Sequence, residues 1–386
     1  KRINSRSTFI ANMISLDFVK AFKHERFVLS VFGLYPGEKT DSVGKFSIQI
    51  TYVTAATIQL SLASIQMCVS KDFTALVDCC IFFISITNFI LKAIVLYFKK
   101  DVLESVTAYL ENIDESKVPA KLLDMLKKRE IIRGKFGTIY RLAIFLYISL
   151  QVMIVCFQQE NTFLPLKSWT PLDLNVATFY YLTVIFQFSV IGILITCDTS
   201  LDCLYYALAD VACCQLDILN ENLRSIDPRG NLNVKRELIG CIKYHQEIIQ
   251  FVEQIESVFS IILFLEFFKS IVNICFIGFQ LTMANFLSLH FFMGFIYLNG
   301  LLMEIFSFCW FGHALILKST EVEDACYLIK WNECSISVQK IIWMIMMRSH
   351  KPLAVRALFL TIKMSTLTLI LKSSYSYATV LRTMYD

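Results

Sequence analysis

Residues 353–386 read LAVRALFLTIKMSTLTLILKSSYSYATVLRTMYD, and this segment is the most informative part of the chain. It is mostly apolar, yet it carries Arg356, Lys363 and Lys372 and a middle rich in Ser and Thr. A helix in contact with lipid would avoid such residues, because charge in the hydrocarbon core is costly and usually faces a bundle interior or water. We therefore predict a membrane helix that lines an aqueous path and is held in place by the rest of the chain.

The composition of the whole chain agrees with a membrane protein. Of its 386 residues, 56% are hydrophobic and 18% are charged, whereas a soluble domain is about a quarter charged. The 33 Phe, against 12 Gly and 6 Pro, favour long apolar helices. The net charge of +4 is small and spread out, so nucleic acid is not an expected partner.

The 13 cysteines indicate neither a metal site nor a disulfide framework. Most of them sit inside apolar runs, and no CxxC is followed by a second Cys or His pair at zinc spacing. We expect buried free thiols. The alternative left open is a single bridge near the outer surface, among Cys68, Cys79, Cys80 and Cys156.

Seven segments are long and apolar enough to span a bilayer, which takes about 20 residues. Lys92 lies near the far end of the second span, where it can snorkel to the interface. Glu266 and Lys269 of the fifth are three residues apart on one helix face and can neutralise each other. The predicted spans are residues 46–69, 79–98, 136–157, 174–197, 257–281, 286–312 and the terminal stretch.

The distribution of basic residues predicts the orientation. The N-terminal segment and the loops 99–135 and 198–256 are rich in Lys and Arg, whereas the alternate loops are poor in them. By the positive-inside rule the N-terminus is cytoplasmic. Seven spans then place the C-terminus outside, which is opposite to a G-protein-coupled receptor.

The segments between the spans continue the helical pattern into the cytoplasm. In the N-terminal segment, Leu16, Val19, Phe22 and Phe27 are predicted to share one side of an amphipathic helix on the membrane surface. The fold class is an all-α membrane protein whose helices extend into a cytoplasmic assembly layer. Its four parts are a cytoplasmic N-terminal segment (1–45), transmembrane helices 1–6 with cytoplasmic extensions (46–317), a cytoplasmic anchor helix (318–352) and a pore-lining final transmembrane helix (353–386).

No enzyme or metal motif stands out. The five His are scattered, without an HExxH pattern, and neither a P-loop nor a GxGxxG occurs. Asp198 and Asp202 are four residues apart, as paired acids would be, but on a polar inner helix we expect them to form a solvated face. A small-molecule transporter is a stronger alternative, although it predicts internal repeats and helices broken by Gly or Pro, and neither is found.

The last quarter of the chain carries a family resemblance. Cys309 and Gly312 in FCWFGHALI, and Ser374 to Tyr377 in LTLILKSSYSYATVLR, resemble the C-terminal signature of insect odorant receptors. Ala378 departs from the aromatic residue often found after SYSY. The TY…QF motif of the related gustatory receptors is absent. Further matching positions are Ser319, Glu321, Ala325, Tyr327, Trp331, Met347, Arg348 and Pro352.

This resemblance implies a non-selective cation channel of four subunits, gated by a volatile odorant, in the plasma membrane of a sensory-neuron dendrite. The chain lacks the longer inner loop of the shared co-receptor, Orco, so it is similar to an odour-specific tuning subunit. The implied partners are Orco in a heterotetramer, the odorant, membrane lipid and the permeating cations, with no cofactor. A homotetramer, a gustatory-type ligand-gated channel and a transporter are the alternatives.

The final helix would contribute a central pore. By position in that helix, Val380, Thr383 and Met384 would lie at the narrow outer gate. Val380 and Met384 are i, i+4 on one face, and an apolar ring can gate by dewetting. Ordinary helix packing by Val380 and Met384 is the alternative that we would prefer without the resemblance.

The implied odorant site lies within each subunit, in the outer half of the spans. Small apolar molecules call for aromatic walls with few polar groups. We expect fewer than half of the candidates to contact the ligand, which would act by preferring the open arrangement of the helices. The candidates are Phe82, Phe83 and Ile86 of span two, Tyr147, Gln151 and Ile154 of span three, Phe179, Tyr180 and Thr183 of span four, and Phe292 and Phe295 of span six.

Overall fold

Long helices account for almost all of the structure. The computed structural model describes residues 22–35, 42–70, 73–111, 119–157, 164, 166, 168–228, 233–286 and 288–385. The helices in these ranges are α1 (Lys23–Val31), α2 (Ser42–Val69), α3 (Phe73–Glu111), α4 (Ala120–Phe157), α5 (Ala177–Arg224), α6 (Val234–Met283), α7 (Leu289–Tyr327), α8 (Ile336–Ser349) and α9 (Met364–Tyr385).

Five of the seven predicted spans coincide with helices that are long and apolar enough to cross a membrane, namely α2, α3, α5, α6 and α7. The helices α5 and α6 have 48 and 50 residues. At 1.5 Å per residue they are each more than about 70 Å long, over twice the thickness of a hydrocarbon core. They therefore continue well beyond a bilayer, as the helical pattern of the loops predicts.

The predicted anchor helix, residues 318–352, divides into three pieces in the structure. The first piece belongs to α7, which runs on to Tyr327, and a short 3₁₀ turn follows at Trp331–Glu333. The third piece is α8, which begins at Ile336 after Ser335 in an extended conformation. The segment is helical on both sides of the turn, as its apolar periodicity predicts, but the turn divides it into two helices.

The terminal stretch begins with a hairpin and becomes helical only at Met364. Strand β1 (Arg356–Ala357) pairs antiparallel with β2 (Leu360–Thr361). Leu358 at the turn has a φ of 55°, a left-handed conformation that is rare for a residue other than glycine. The predicted final helix is therefore shorter than its apolar run, because a tight turn takes up the first residues.

The N-terminal helix α1 packs against α5. Phe22 and Leu29 are buried, but Phe27 is 65% exposed, so the prediction that Phe22 and Phe27 share one side is wrong. Five residues at about 100° each place the two side chains roughly 140° apart. Leu16 and Val19 lie outside the described residues.

The segment after α1 is anchored to α3 by Tyr35, which forms a hydrogen bond with Thr107. Burial raises the pKa of the Tyr35 hydroxyl.

The centre of the molecule is the C-terminal half of α5. Nearly every side chain from Cys197 to Leu223 is buried, whereas the preceding turns expose large apolar side chains such as Tyr181 and Ile185. The Tyr206 ring packs against Phe308 with ring centroids 5.0 Å apart. We call the buried parts of α5 (197–223), α6 (234–267) and α7 (301–326) the packed layer.

The cysteines fit the predicted free thiols. Most of the cysteines that the structure describes are buried, and Cys213 and Cys214 are examples of buried free thiols. The side chain of Cys156 lies outside the described set.

Candidate ligand cavity and buried charge cluster

Six charged side chains from four helices meet inside the bundle. Lys92 contacts Asp198 with its Nζ 2.6 Å from Oδ1, and it also contacts Glu266. Lys269 contacts Glu266 one turn away, and its Nζ is 3.3 Å from Glu304 Oε1. We call this group the charge cluster. Its members are Lys92 of α3, Asp198 and Asp202 of α5, Glu266 and Lys269 of α6, and Glu304 of α7.

The charge cluster corrects two predictions and confirms a third. Lys92 does not snorkel, since it is fully buried, and Asp202 is not on a solvated face, since it is only 3% exposed. Both predictions took a charge near the end of a span to be near water, but α5 continues into the packed layer and α3 packs against α6. The predicted pairing of Glu266 with Lys269 is confirmed.

A row of polar contacts extends from the charge cluster along the line where α3 meets α6. Asn88 donates a hydrogen bond from Nδ2 to Glu266 Oε2 at 3.2 Å. One turn before Asn88 on α3, Ser85 Oγ accepts a hydrogen bond from Asn273 Nδ2 at 3.2 Å. Gln280 then donates from Nε2 to Asp78 Oδ1 at 2.5 Å. These residues were not predicted from the sequence, although single amides inside apolar spans are a signal for interhelical contacts.

A cavity of about 450 Å³ lies beside the charge cluster, between α4, α5 and α7. Its volume is in the range of small-molecule sites. At one end it meets charged side chains of the cluster. The rest of the wall is mostly apolar, with aromatic rings from α4 and α7. The aromatic side chains are Phe136, Tyr140, Tyr147 and Tyr297, and the charged ones are Asp198, Asp202, Lys269 and Glu304.

Helical spacing explains how two helices build the wall. On α4, Phe136, Tyr140 and Tyr147 are separated by four and seven residues, so they share one face. On α7, Tyr297, Gly300 and Glu304 follow the same rule. The Tyr147 and Tyr297 rings stack with centroids 6.4 Å apart, and a Cβ added to Gly300 would meet nothing within 4 Å. The glycine therefore leaves space where a larger residue would fill the cavity.

The structure places one predicted ligand contact, Tyr147, in this wall. On α3, Ile86 is buried, while Phe82 and Phe83 are half-buried. On α7, Phe292 and Phe295 are largely exposed. None of these five lines the cavity beside the charge cluster, so a role for them in ligand binding stays a prediction.

The candidates on α5 lie nearer the start of that helix. Tyr180 packs in a small separate cluster with Val184. Thr183 is buried and donates a hydrogen bond from Oγ1 to the Phe179 carbonyl oxygen at 2.9 Å. Phe179 itself is exposed. The side chains of the remaining two candidates, Gln151 and Ile154, lie outside the described set.

The predicted gate residues lie near the end of α9. This helix packs against α6 and α7, and a Cβ on Gly278 of α6 would lie 3.6 Å from the Ala378 Cβ. Val380 comes two residues after Ala378, about 200° around the helix, and it is 51% exposed. Thr383 is also exposed and donates a hydrogen bond to the Val380 carbonyl oxygen at 2.8 Å. The Met384 side chain lies outside the described set.

The fold and the cavity define a class of protein: a multi-pass helical membrane protein with space for a small molecule inside its bundle. The family model for the 7tm Odorant receptor matches residues 72–375. The chain therefore belongs to the insect odorant receptor family, as the C-terminal signature predicts. This is a family of receptors and not of enzymes.

The chain is also similar in sequence to individual odorant receptors. The chain is 32% identical to Odorant receptor 67c of Drosophila melanogaster over 170 residues, which is 43% of this chain and 42% of the relative. It is 27% identical to Odorant receptor 67a of the same species over 277 residues, 68% of this chain and 67% of the relative. The first match thus spans less than half the length of that relative.

A solved structure shows the shared fold. The insect olfactory receptor OR5 from Machilis hrabei, in complex with eugenol, superimposes with a TM-score of 0.82 at 19% identity. The match covers 95% of this chain and all of the other. A second structure of OR5 from Machilis hrabei gives a TM-score of 0.84 at 18% identity.

Proposed function

We propose that this chain is an odour-specific subunit of a ligand-gated, non-selective cation channel in the plasma membrane of sensory-neuron dendrites. The observation that carries the proposal is the aromatic-walled cavity of about 450 Å³ inside a member of the odorant receptor family. In the proposed orientation its lining from α5 and α7, such as Asp202 and Glu304, lies towards the cytoplasmic ends of the spans, so this site differs from the outer-half site that the resemblance implies. The channel is a tetramer with the co-receptor Orco, and a homotetramer is the second arrangement. Each subunit crosses the membrane seven times, with its N-terminus in the cytoplasm and its C-terminus outside.

The helices around the cavity give the ligand a mechanical path to α9. The cavity is walled by α4, α5 and α7 and touches Lys269 of α6. In turn, α9 packs against α6 and α7, where Ser374 Oγ lies 3.4 Å from the Ile271 carbonyl oxygen. A ligand that fits one arrangement of α6 and α7 better than another shifts the population of that arrangement. The shift moves the helix that lines the pore.

The gate is formed by Val380, Thr383 and Met384 from each subunit. Val380 lies on the side of α9 away from Ala378, whose own side faces α6, and it is half exposed within a single subunit. That position suits a side chain that faces a pore. A ring of valine and methionine side chains closes the pore by excluding water, and the threonine hydroxyls favour water once the ring widens.

The proposal is tested by whole-cell current in cells that express the chain with and without Orco, during application of a panel of volatile compounds. Current only with Orco supports the heterotetramer, and current from the chain alone supports the homotetramer. If the surface expression of the complex is confirmed and a broad panel evokes no current, the channel function is rejected and the transporter alternative returns.

Two matched tyrosine variants test the cavity. Tyr147→Ala removes a ring from the cavity wall and is expected to shift the half-maximal ligand concentration at least about tenfold, equivalent to 1.4 kcal/mol of binding free energy. Tyr181→Ala removes an exposed ring from α5 that does not line the cavity, and it should leave the concentration unchanged. Equal shifts for the two variants would contradict the cavity as the ligand site.

Two matched valine variants test the gate. Val380→Ser places a hydroxyl in the proposed ring and is expected to raise the current without ligand, because a polar ring is easier to wet. Val69→Ser alters another exposed valine, at the end of α2, and should leave the basal current unchanged. A Val380→Ser channel with normal basal current, gating and permeability would remove Val380 from the gate.

A further inference from the structure

One end of the cavity presents an unusual density of acidic groups. Asp198, Asp202 and Glu304 all line it. One carboxylate oxygen from each lies within 4.8 Å of the others. The charged side chains come from two of the helices that wall the cavity, so a molecule in the cavity reaches all three. The question is what satisfies these carboxylates.

The charge cluster does not supply enough positive charge. It holds four carboxylates, Asp198, Asp202, Glu266 and Glu304, against the two ammonium groups of Lys92 and Lys269. With all of them ionised, the formal sum of +2 and −4 is −2. Buried charge without a partner is costly, so the cluster has room for further positive charge.

Asp202 is the carboxylate of the charge cluster that lacks a close cationic partner. Its side chain is 3% exposed and lines the cavity, but it forms no hydrogen bond with any residue that the structure describes. Lys92 Nζ is 3.9 Å from Asp202 Oδ1 and is held more closely by Asp198 and Glu266. Lys269 also lines the cavity, but its ammonium is bound by Glu266 and Glu304.

The rest of the cavity suits an organic cation. The faces of aromatic rings attract ammonium groups, and aromatic cages with nearby acids are a known way to bind them. Here the side chains of Phe136, Tyr140, Tyr147 and Tyr297 line the same cavity as the carboxylates. A volume of about 450 Å³ with mostly apolar walls holds a hydrocarbon body as well as a cationic head.

We propose that the ligand class of this receptor is a small organic amine, bound as its ammonium ion at Asp202, with its hydrocarbon part among the rings of α4 and α7. This inference rests on the proposed function, because it names the ligand of the same cavity. An alkylamine carries its proton at neutral pH, since the lysine side chain, an alkylamine itself, has a pKa of about 10.4. The small fraction of the amine that is neutral at this pH makes the compound volatile.

The test compares two probes that differ at the polar atom. Binding of radiolabelled 2-phenylethylamine is measured on membranes that contain the full chain with Orco, after subtraction of membranes with Orco alone, and 2-phenylethanol is the competitor. We expect the amine to bind at least tenfold more tightly than the alcohol. An alcohol that binds as tightly as the amine overturns the proposal, and this comparison needs no variant.

Two variants of similar size locate the site. Asp202→Asn removes the charge and should weaken amine binding at least tenfold while changing alcohol binding less than threefold. Asp124→Asn makes the same change at an exposed aspartate of α4 that does not line the cavity, and should change both less than threefold. Equal weakening of both probes by Asp202→Asn overturns the proposal. If Asp202→Asn fails to reach the membrane, Glu304→Gln is measured in the same way.

Further outcomes separate this proposal from its rivals and from the proposed function. Displacement of the amine by millimolar Ca²⁺ or Mg²⁺ in the wild type, but not in Asp202→Asn, assigns the carboxylates to a metal and overturns the amine. Currents evoked by neutral volatiles without amine binding also overturn it, and they leave the channel function standing. Amine binding without any current from an expressed complex supports the ligand class and rejects the channel.

Discussion

Two ion networks lie along α5, and they differ in their charge balance. The charge cluster at Asp198 and Asp202 has four carboxylates for two ammonium groups. About two turns further along the helix, Asp210 begins a second group, which we call the balanced network. It has three cations and three anions: Arg129 and Arg133 of α4, Asp210 and Asp217 of α5, and Lys318 and Glu321 of α7.

The carboxylates of the balanced network all have close partners. Asp210 accepts hydrogen bonds from Arg129 Nε and Arg133 Nη1, both at 2.8 Å. Asp217 accepts one from Arg129 Nη1 at 2.7 Å and lies 3.0 Å from Lys318 Nζ. Such a group holds α4, α5 and α7 together without any further ion. Asp202 has no comparable donor, and the difference indicates that the balanced network is structural while the charge cluster is built to receive a ligand.

The largest expected effect is on the balanced network. Asp210→Asn leaves Arg133 buried without its carboxylate, and breaking a buried pair in this way costs about 3–5 kcal/mol. We expect a clearly lower Tm of the purified complex and less protein at the cell surface. The control is Asp124→Asn, which removes an exposed partner of Lys128 and should leave the Tm nearly unchanged, because surface ion pairs contribute about 0–1 kcal/mol. Similar losses in both variants would contradict a structural role specific to Asp210.

A smaller effect is expected from two glycines on α7, one in the packed layer and one at the cavity. A Cβ on Gly312 would lie 2.8 Å from the Ile362 carbonyl oxygen and 2.7 Å from its Cγ2. Gly312→Ala should therefore destabilise the protein by about 1–3 kcal/mol. At Gly300 the added methyl meets open space, and alanine is the better helix former.

Measurement of Tm for both glycine variants sharpens the contrast between the packed layer and the cavity region. Gly312→Ala should lower the Tm, while Gly300→Ala should keep or raise it. A Gly312→Ala protein as stable as the wild type would mean that the hairpin before α9 does not rest against α7 as described. A destabilised Gly300→Ala protein would mean that the cavity is not open at that point.

Much of the fold could be predicted from single stretches of sequence. Apolar runs locate five spans, because a bilayer imposes a minimum length on each helix. The pairing of Glu266 with Lys269 follows from a spacing of three residues within one helix. Gly312 belongs to the family signature, and its close contact with Ile362 gives a physical reason for a glycine there.

The candidate site could be predicted only in part, because it depends on which helices are neighbours. Lys92 and Asp198 are 106 residues apart in sequence, and no local pattern joins them. Tyr147 was found as an aromatic residue in an apolar span, but Tyr140 and Tyr297 were missed because the same description fits many residues. The turn at Leu358, which delays the start of α9, also escaped prediction, since the apolar run continues through it.

The smallest expected effect is on the stability of the charge cluster itself. Asp202→Asn removes one negative charge from a group with an excess of two, and Asp202 has no hydrogen bond to lose within the described part of the chain. The free energy of unfolding should stay the same or rise by up to about 1 kcal/mol, since a buried charge without a full partner destabilises the folded state. The Tm is measured without ligand and again with 2-phenylethylamine at 100 times its Kd, which stabilises the wild type by about 2.7 kcal/mol and should have little effect on the variant. A loss as large as that of Asp210→Asn would mean that Asp202 is bound as tightly as Asp210, and the distinction between the two networks would disappear.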